Sequence, residues 1–380
     1  MLSHCPTVAH RIIPALALAL TLAACGAPAA GPAPTAAPAA TSAPAPTAAP
    51  AANATVDLEG IKTYLTGKTG ELKAATAELK AISDRYYDLA KSANFDYAAL
   101  AKQQPAELAK LIGDARAAWK KASPLYEQME GIVAGTPSLA QYDVDMDAGA
   151  SGAEDPENAV SFDLTLPDGK TLPKPGNLFG VTESTLWGTF ADFRAKDVSL
   201  DVDGDGAIGF GDGLPDANVL KAGVDELAAQ AAKLDTSAAA WQPSETDAFT
   251  ALVVMVPTMS EYFDSWKNSR FIAGDASEQR DFVAISRLAD IQNILGSLQV
   301  VHQNLSPLIQ TASASDDAQI GKGLNDLKAF VADVYQKEQS GQRFSAEDAD
   351  LLGKEAQDRA TAITGQVSQV AAKLNIKIAE

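Results

Sequence analysis

The chain has 380 residues, with 30 basic and 49 acidic side chains and a net charge of −19. Arg11 is the only charged side chain ahead of Cys25, so from Cys25 onward 29 basic residues face 49 acidic ones, a net charge of −20. That balance excludes nucleic acid and anionic membrane surfaces as natural partners, suits an acidic soluble domain, and attracts cations.

Residues 1–25 have the layout of a secretory signal: Arg11, the apolar run Ile12–Leu22, then small residues. Leu22-Ala-Ala-Cys25-Gly26 resembles the bacterial lipobox, in which Cys25 is lipidated and becomes the mature N-terminus. The expectation is an extracytoplasmic protein held to the cell membrane by a lipid anchor. The apolar run is too short for a retained transmembrane helix. Cys5 leaves with the signal, so the mature domain has no disulfide and no cysteine nucleophile. His4 and His10 leave too, and His302 alone remains. A His–His zinc site and a His-Glu-x-x-His protease motif are thereby excluded, and no enzymatic activity is expected. His302 itself is expected to be an ordinary helix residue.

Residues 26–55 are Ala, Pro, Thr and Ser with almost no large apolar side chain, the composition of a tether. Residues 56–380 are expected to form one helical domain. Leu58, Ile61, Leu65, Leu72, Leu79, Ile82, Tyr86 and Leu89 follow a 3.6-residue period and predict a helix over 56–93. Pro105 opens a second helix to about Val133, with a kink expected at Pro124. The stretch 135–176 is rich in Pro, Gly and Asp. Within it Ser161–Leu166, the turn Pro167-Asp-Gly169 and Lys170–Leu172 predict a small β-hairpin.

A motif helix is expected over 181–194, and further helices over 216–234, 244–267, 277–312, 316–339 and 345–374. Pro257 should bend the third of these six, and Ser345-Ala-Glu-Asp348 is a capping start. The class is all-α, an antiparallel helical bundle of two half-bundles with a small β-hairpin insertion.

Between the motif helix and the next lies Asp201-Val-Asp203-Gly-Asp205-Gly206-Ala207-Ile208-Gly-Phe-Gly-Asp212. It matches the twelve-residue EF-hand calcium loop: carboxylates at positions 1, 3 and 5, glycine at 6, an aliphatic residue at 8 and an acid at 12. Asp201, Asp203, Asp205, the Ala207 carbonyl and Asp212 are the expected Ca²⁺ ligands. Lys196–Leu200 separates the loop from the helix before it, so a complete helix–loop–helix hand is not expected.

Phe179-Gly-Val-Thr-Glu183-Ser-Thr-Leu-Trp187 resembles the signature of the imelysin-like family, which includes the EfeO-type iron-uptake lipoproteins. There a helix carries Phe-His-x-x-Glu followed by x-x-Leu-Trp. Arg116-Ala-Ala-Trp119 with Pro124 resembles the family's Arg-x-x-aromatic-Glu-x-x-Glu-Pro stretch, and Tyr142-Asp143-Val-Asp145 its Asp-rich segment. Asp290-Ile-Gln-Asn293 and Val367–Leu374 sit where the family has its last helices. The resemblance covers 56 to the C-terminus. It implies iron or another divalent or trivalent metal as ligand, and an iron permease or other envelope protein as partner.

Three ligand positions of the family differ here: Gly180 stands for the histidine, Lys120 and Ser123 for two glutamates. Glu183, Asp143 and Asp145 remain as ligands of a possible second metal site, with Glu127 one turn past Pro124. An oxygen-only set of this kind suits a hard cation. The competing readings are a buried Glu183 paired with Lys120 or Arg116, and a calcium-stabilised envelope module that has lost the transition-metal site.

Overall fold

The computed structural model describes residues 56–379. Cys25, the signal and the tether lie outside the described residues. Eleven helices are counted among the described residues, α1 (Glu59–Ser92), α2 (Tyr97–Gln103), α3 (Pro105–Val133), α4 (Ala140–Asp143), α5 (Leu178–Leu186), α6 (Ala217–Ala240), α7 (Glu245–Met255), α8 (Met259–Asn268), α9 (Arg270–Ala273), α10 (Arg287–Gln339) and α11 (Ala346–Lys373). Four short strands, β1 (Leu164–Thr165), β2 (Thr171–Leu172), β3 (Arg194–Ser199) and β4 (Gly213–Pro215), form two antiparallel hairpins. None of the described helices is long and apolar enough to cross a membrane.

The all-α reading holds. In α1, Ile61, Leu65, Leu72, Leu79 and Tyr86 are buried along one stripe, as their period requires. That stripe packs on α3 and α6, while α7, α8, α10 and α11 pack together as a second group. α3 and α10 join the two groups. Each fully buried leucine in these seams contributes on the order of 1.5–3 kcal/mol.

α10 is two antiparallel helices. Ser313 is extended (φ −169°, ψ 107°). Gln299 bonds Asn325, 26 residues on, at 2.6 Å. An unbroken helix would hold those residues about 39 Å apart. The break falls in the gap between the predicted spans 277–312 and 316–339. Pro257 also breaks its helix as expected, with non-helical angles (φ −84°, ψ 16°). Ser345 and Asp348 form the capping box. Pro124 sits inside an uninterrupted α3.

Three boundaries differ from the sequence reading. α5 begins at Leu178 and ends at Leu186 instead of spanning 181–194. Gly188 has a positive φ of 63° and lies against the Gly213 backbone, where a Cβ would approach within 3.0 Å. The chain turns there and returns as β3. α10 begins at Arg287, ten residues later than predicted, because the segment before it is held in an irregular form by Glu183. Finally, the hairpin Leu164↔Leu172 and Thr165↔Thr171 is the predicted one, but β3–β4 was not expected. It forms the stem of the Asp201–Asp212 loop.

Candidate metal centre

The centre is built from α3, the turn after α4, α5 and the start of α10. On α3, Ser123, Glu127 and Glu130 fall at i, i+4 and i+7, hence on one face, and all three are buried. α5 is fixed against that face. Asn177 caps it by accepting from the Gly180 N–H at 2.7 Å. Trp119 Nε1 donates to the Phe179 carbonyl at 3.3 Å, and the Trp119 ring meets Trp187 edge-on at 5.3 Å. Three of the positions singled out by the family resemblance, Ser123, Gly180 and Glu183, thus converge, while Lys120, Asp143 and Asp145 lie outside. Ser123, Glu127, Gly180 and Glu183 line one enclosed void of about 10 Å³, with Asp147 and Asp290. That is room for about one water-sized probe.

Glu183 is fully occupied by backbone. Its Oε2 accepts from the Phe282 N–H at 2.6 Å, and its Oε1 from Val283 and Ala284 at 2.9 and 2.8 Å. Burial, then the Asp281 charge, pushes its carboxyl up to about 8, while the three N–H groups pull the other way. Neither expected cation reaches it. Lys120 lies over the Trp187 ring at 5.5 Å. Arg116 donates to the Leu186 carbonyl at 2.9 Å and to the Gly211 carbonyl. Glu183 therefore clamps the 282–284 segment over the centre.

Gly180 has no free space for a histidine. A Cβ there would lie 2.5 Å from Asp281 Oδ2 and 2.9 Å from the capping Oδ1 of Asn177. The Asp281 carboxyl has taken the place beside this helix position.

A second group of acids converges further along α3. One carboxylate oxygen each of Glu127, Glu130 and Asp147 fall within 4.8 Å of one another. The three residues are 2, 3 and 4 % exposed. Asp147 reaches them from a π turn over Val144–Ala148, whose widened pitch changes which residues face inward. Asp143 is buried nearby and accepts from Tyr126 Oη at 2.7 Å. Asp145, which the sequence reading grouped with it, bonds Gln141 at 3.0 Å and lies outside the cluster.

Among the described residues, one cation serves this group. Arg287 Nη1 sits 2.8 Å from Asp290 Oδ2 and 3.9 Å from Glu127 Oε1. Its guanidinium stacks on Phe282 at 3.9 Å and on Tyr262 at 4.5 Å. Tyr262 Oη donates to Glu130. Burial, then the neighbouring carboxylates, holds Glu127 and Asp147 well above the usual carboxylate range. Asp143 rises to about 8, by burial and the Glu130 charge, and Asp290 to about 6, by burial against the pull of Arg287.

The Asp201–Asp212 loop brings Asp201, Asp203 and Asp205 together. Asp201 accepts from the N–H groups of Gly204 and Gly206, Asp203 from Asp205, and Asp205 from Ala207. Asp212 is buried apart from them, its oxygens taken by the Val202 and Gly209 N–H groups at 3.0 and 2.7 Å. It closes the loop's neck. Arg116, bonded to Leu186 and Gly211, ties this loop to the end of α5. His302 lies 3.0 Å from Asp317 in the α10 hairpin and takes no part in the centre.

Sequence reasoning missed Glu130 and Asp147. Glu130 carried a signal, an acid three residues after Glu127 in the apolar run Met129–Val133. Asp147 carried none, because its inward direction depends on the π turn.

A family model described as Imelysin, of the peptidase M75 class, matches residues 71–370, which contain every residue of this centre. No curated protein matches the chain. The match covers well over half of the 380 residues, and the chain belongs to the imelysin family.

Proposed function

We propose that this is a lipid-anchored extracytoplasmic metal-binding protein of the EfeO type, working in iron uptake rather than as a peptidase. Membership of the imelysin family fits an extracytoplasmic protein related to iron uptake. The observation that carries the reading is the convergence of three of the family's ligand positions, 123, 180 and 183, on one enclosed, acid-lined void between α3 and α5. The single histidine of the mature domain argues against zinc-peptidase chemistry. An iron permease or another envelope protein is the partner this reading implies. Metal analysis of the purified protein, before and after chelation, tests it: bound metal that chelator removes is expected, and a metal-free protein that takes up none overturns it.

The anchor is a prediction of its own. The wild type partitions into detergent, and Cys25→Ser releases it or leaves it unprocessed. A wild-type protein that stays in the aqueous phase with an intact N-terminus refutes the assignment.

A second reading is a calcium-stabilised envelope module that has lost the transition-metal site. Gly180, Lys120 and Ser123 favour it, as does the wrapping of Asp201, Asp203 and Asp205 round one point. Such modules outside the cell bind Ca²⁺ at about 10⁻⁴–10⁻³ M. Ca²⁺ at about 100 times its Kd should then stabilise the fold by about 2.7 kcal/mol. Asp203→Ala with Asp205→Ala should abolish the rise in Tm. An unchanged rise in that double variant places calcium elsewhere.

A further inference from the structure

We infer that Glu127, Glu130 and Asp147 form a cation site of this protein, taking a hard, oxygen-seeking metal ion. The inference rests on the metal-binding reading above and specifies its residues. It moves the site about two turns along α3 from the family's positions at 120 and 123, away from Glu183, whose oxygens are spent on backbone.

Geometry supports it first. Metal–oxygen bonds to hard cations run from about 2.0 to 2.6 Å, so two oxygens on opposite sides of one ion lie up to about 5 Å apart. The three carboxylates already meet that limit, with one oxygen of each within 4.8 Å of the others. The site needs no rearrangement of α3, only small side-chain adjustments.

Unmet polar groups support it second. Glu127 Oε2, Glu130 Oε2 and, beside them, Asp290 Oδ1 are buried with no hydrogen-bond partner among the described residues. Asp290 is 3 % exposed and lines the same void as Glu127 and Asp147. Buried acceptors are ordinarily satisfied, and leaving one bare is costly, more so when it is charged. Two ways of meeting that cost are available, a proton on each acid or one cation among them.

The charge inventory favours the cation. Facing the site are Glu127, Glu130 and Tyr126 of α3, Asp143 of α4, Asp147 of the π turn, Tyr262 of α8, and Arg287 and Asp290 of α10. Among the described residues, one guanidinium stands against five carboxyls. Arg287 reaches Asp290 and Glu127 but leaves the Glu130–Asp147 side open. The donors are all oxygen, which selects hard cations over those that prefer imidazole or thiolate.

There is also an approach. A cavity of about 450 Å³ has Glu130, Asp147 and Arg287 in its wall, together with Arg280, which pairs with Glu154 at 3.4 Å, and extends to the exposed Glu261 and Glu278. An acid-lined cleft of this kind concentrates cations at its base.

Terbium(III), a hard trivalent ion, serves as the probe, titrated by luminescence into the full chain carrying Asp203→Ala and Asp205→Ala, so that the loop contributes nothing. One bound ion is expected. Glu130→Gln and Asp147→Asn should each weaken it by more than the 10–100-fold typical of residues that only support ligands. Both amides are isosteric and remove a buried charge, so the folded state is retained, and a melting curve checks this. Glu127→Gln gives an independent third reading. If terbium binds and all three variants bind as tightly as their parent, this site is wrong while the metal-binding reading stands. If the loop-deficient parent binds no terbium, both fall.

Discussion

Glu183→Ala should cost the fold about 3–5 kcal/mol, because it strands three backbone donors at about 1–3 kcal/mol each. The residue belongs to the family signature, and the sequence reading made it a metal ligand. Its position argues for a mechanical role. Three consecutive N–H groups, from Phe282, Val283 and Ala284, converge on its two oxygens. Phe282 is held there at a positive φ of 54°. Such a conformation is uncommon outside glycine and persists only where its surroundings fix it. Truncation strands the three donors and frees the segment that seats Phe282 on Arg287. Glu183→Gln should be milder, about 1–3 kcal/mol, because its amide oxygen can still accept from two donors while its NH₂ cannot accept from the third. Urea unfolding of the two variants beside the wild type measures this order. Equal losses, or none, would mean that the clamp does not hold the segment.

The fold was legible wherever apolar periodicity and breakers act locally. The stripe of α1, the proline start of α3, the break near Ser313 and the Ser345 cap all depend on neighbours within a few residues. α5 was misplaced because its end depends on Gly188 meeting Gly213, a contact across 25 residues that no local pattern encodes. The late start of α10 has a similar cause, since Glu183, about 100 residues away, takes the N–H groups of 282–284.

The centre was half legible for the same reason. Gly180 and Ser123 could be placed from the motif and Glu127 from its position one turn past Pro124, and they do line one void. The roles within it could not. Whether Glu183 faces metal or backbone depends on a distant loop, and whether Asp145 or Asp147 faces inward depends on one π turn. Net acidity pointed to cations but could not show that five carboxyls are gathered round a single arginine.

That arginine carries the second large effect. Arg287→Ala should cost about 3–5 kcal/mol at pH 8, because it leaves Asp290 and Glu127 buried without their counter-charge. The loss should shrink as the solution is acidified, and the sign follows from linkage. The folded-state pKa of Asp290 is raised to about 6 from 3.8, so the folded protein holds its proton over a range where the unfolded chain has released it. Stability from such a group is full below about pH 4 and declines as pH climbs through 6. Arg287 limits that decline by favouring the ionised forms of Asp290, Glu127, Asp143 and Asp147. Without it these acids keep their protons to still higher pH, and the decline deepens. Near pH 4 the acids are protonated in both proteins, leaving only the packing of the guanidinium on Tyr262 and Phe282 as the difference. Unfolding curves at pH 4.5 and 8 therefore separate charge from packing. A deficit that is the same at both pH values would show that Arg287 acts by packing alone. Restoration of the pH 8 stability by a hard cation, in the variant more than in the wild type, is expected if the ion takes over the charge that the guanidinium supplied.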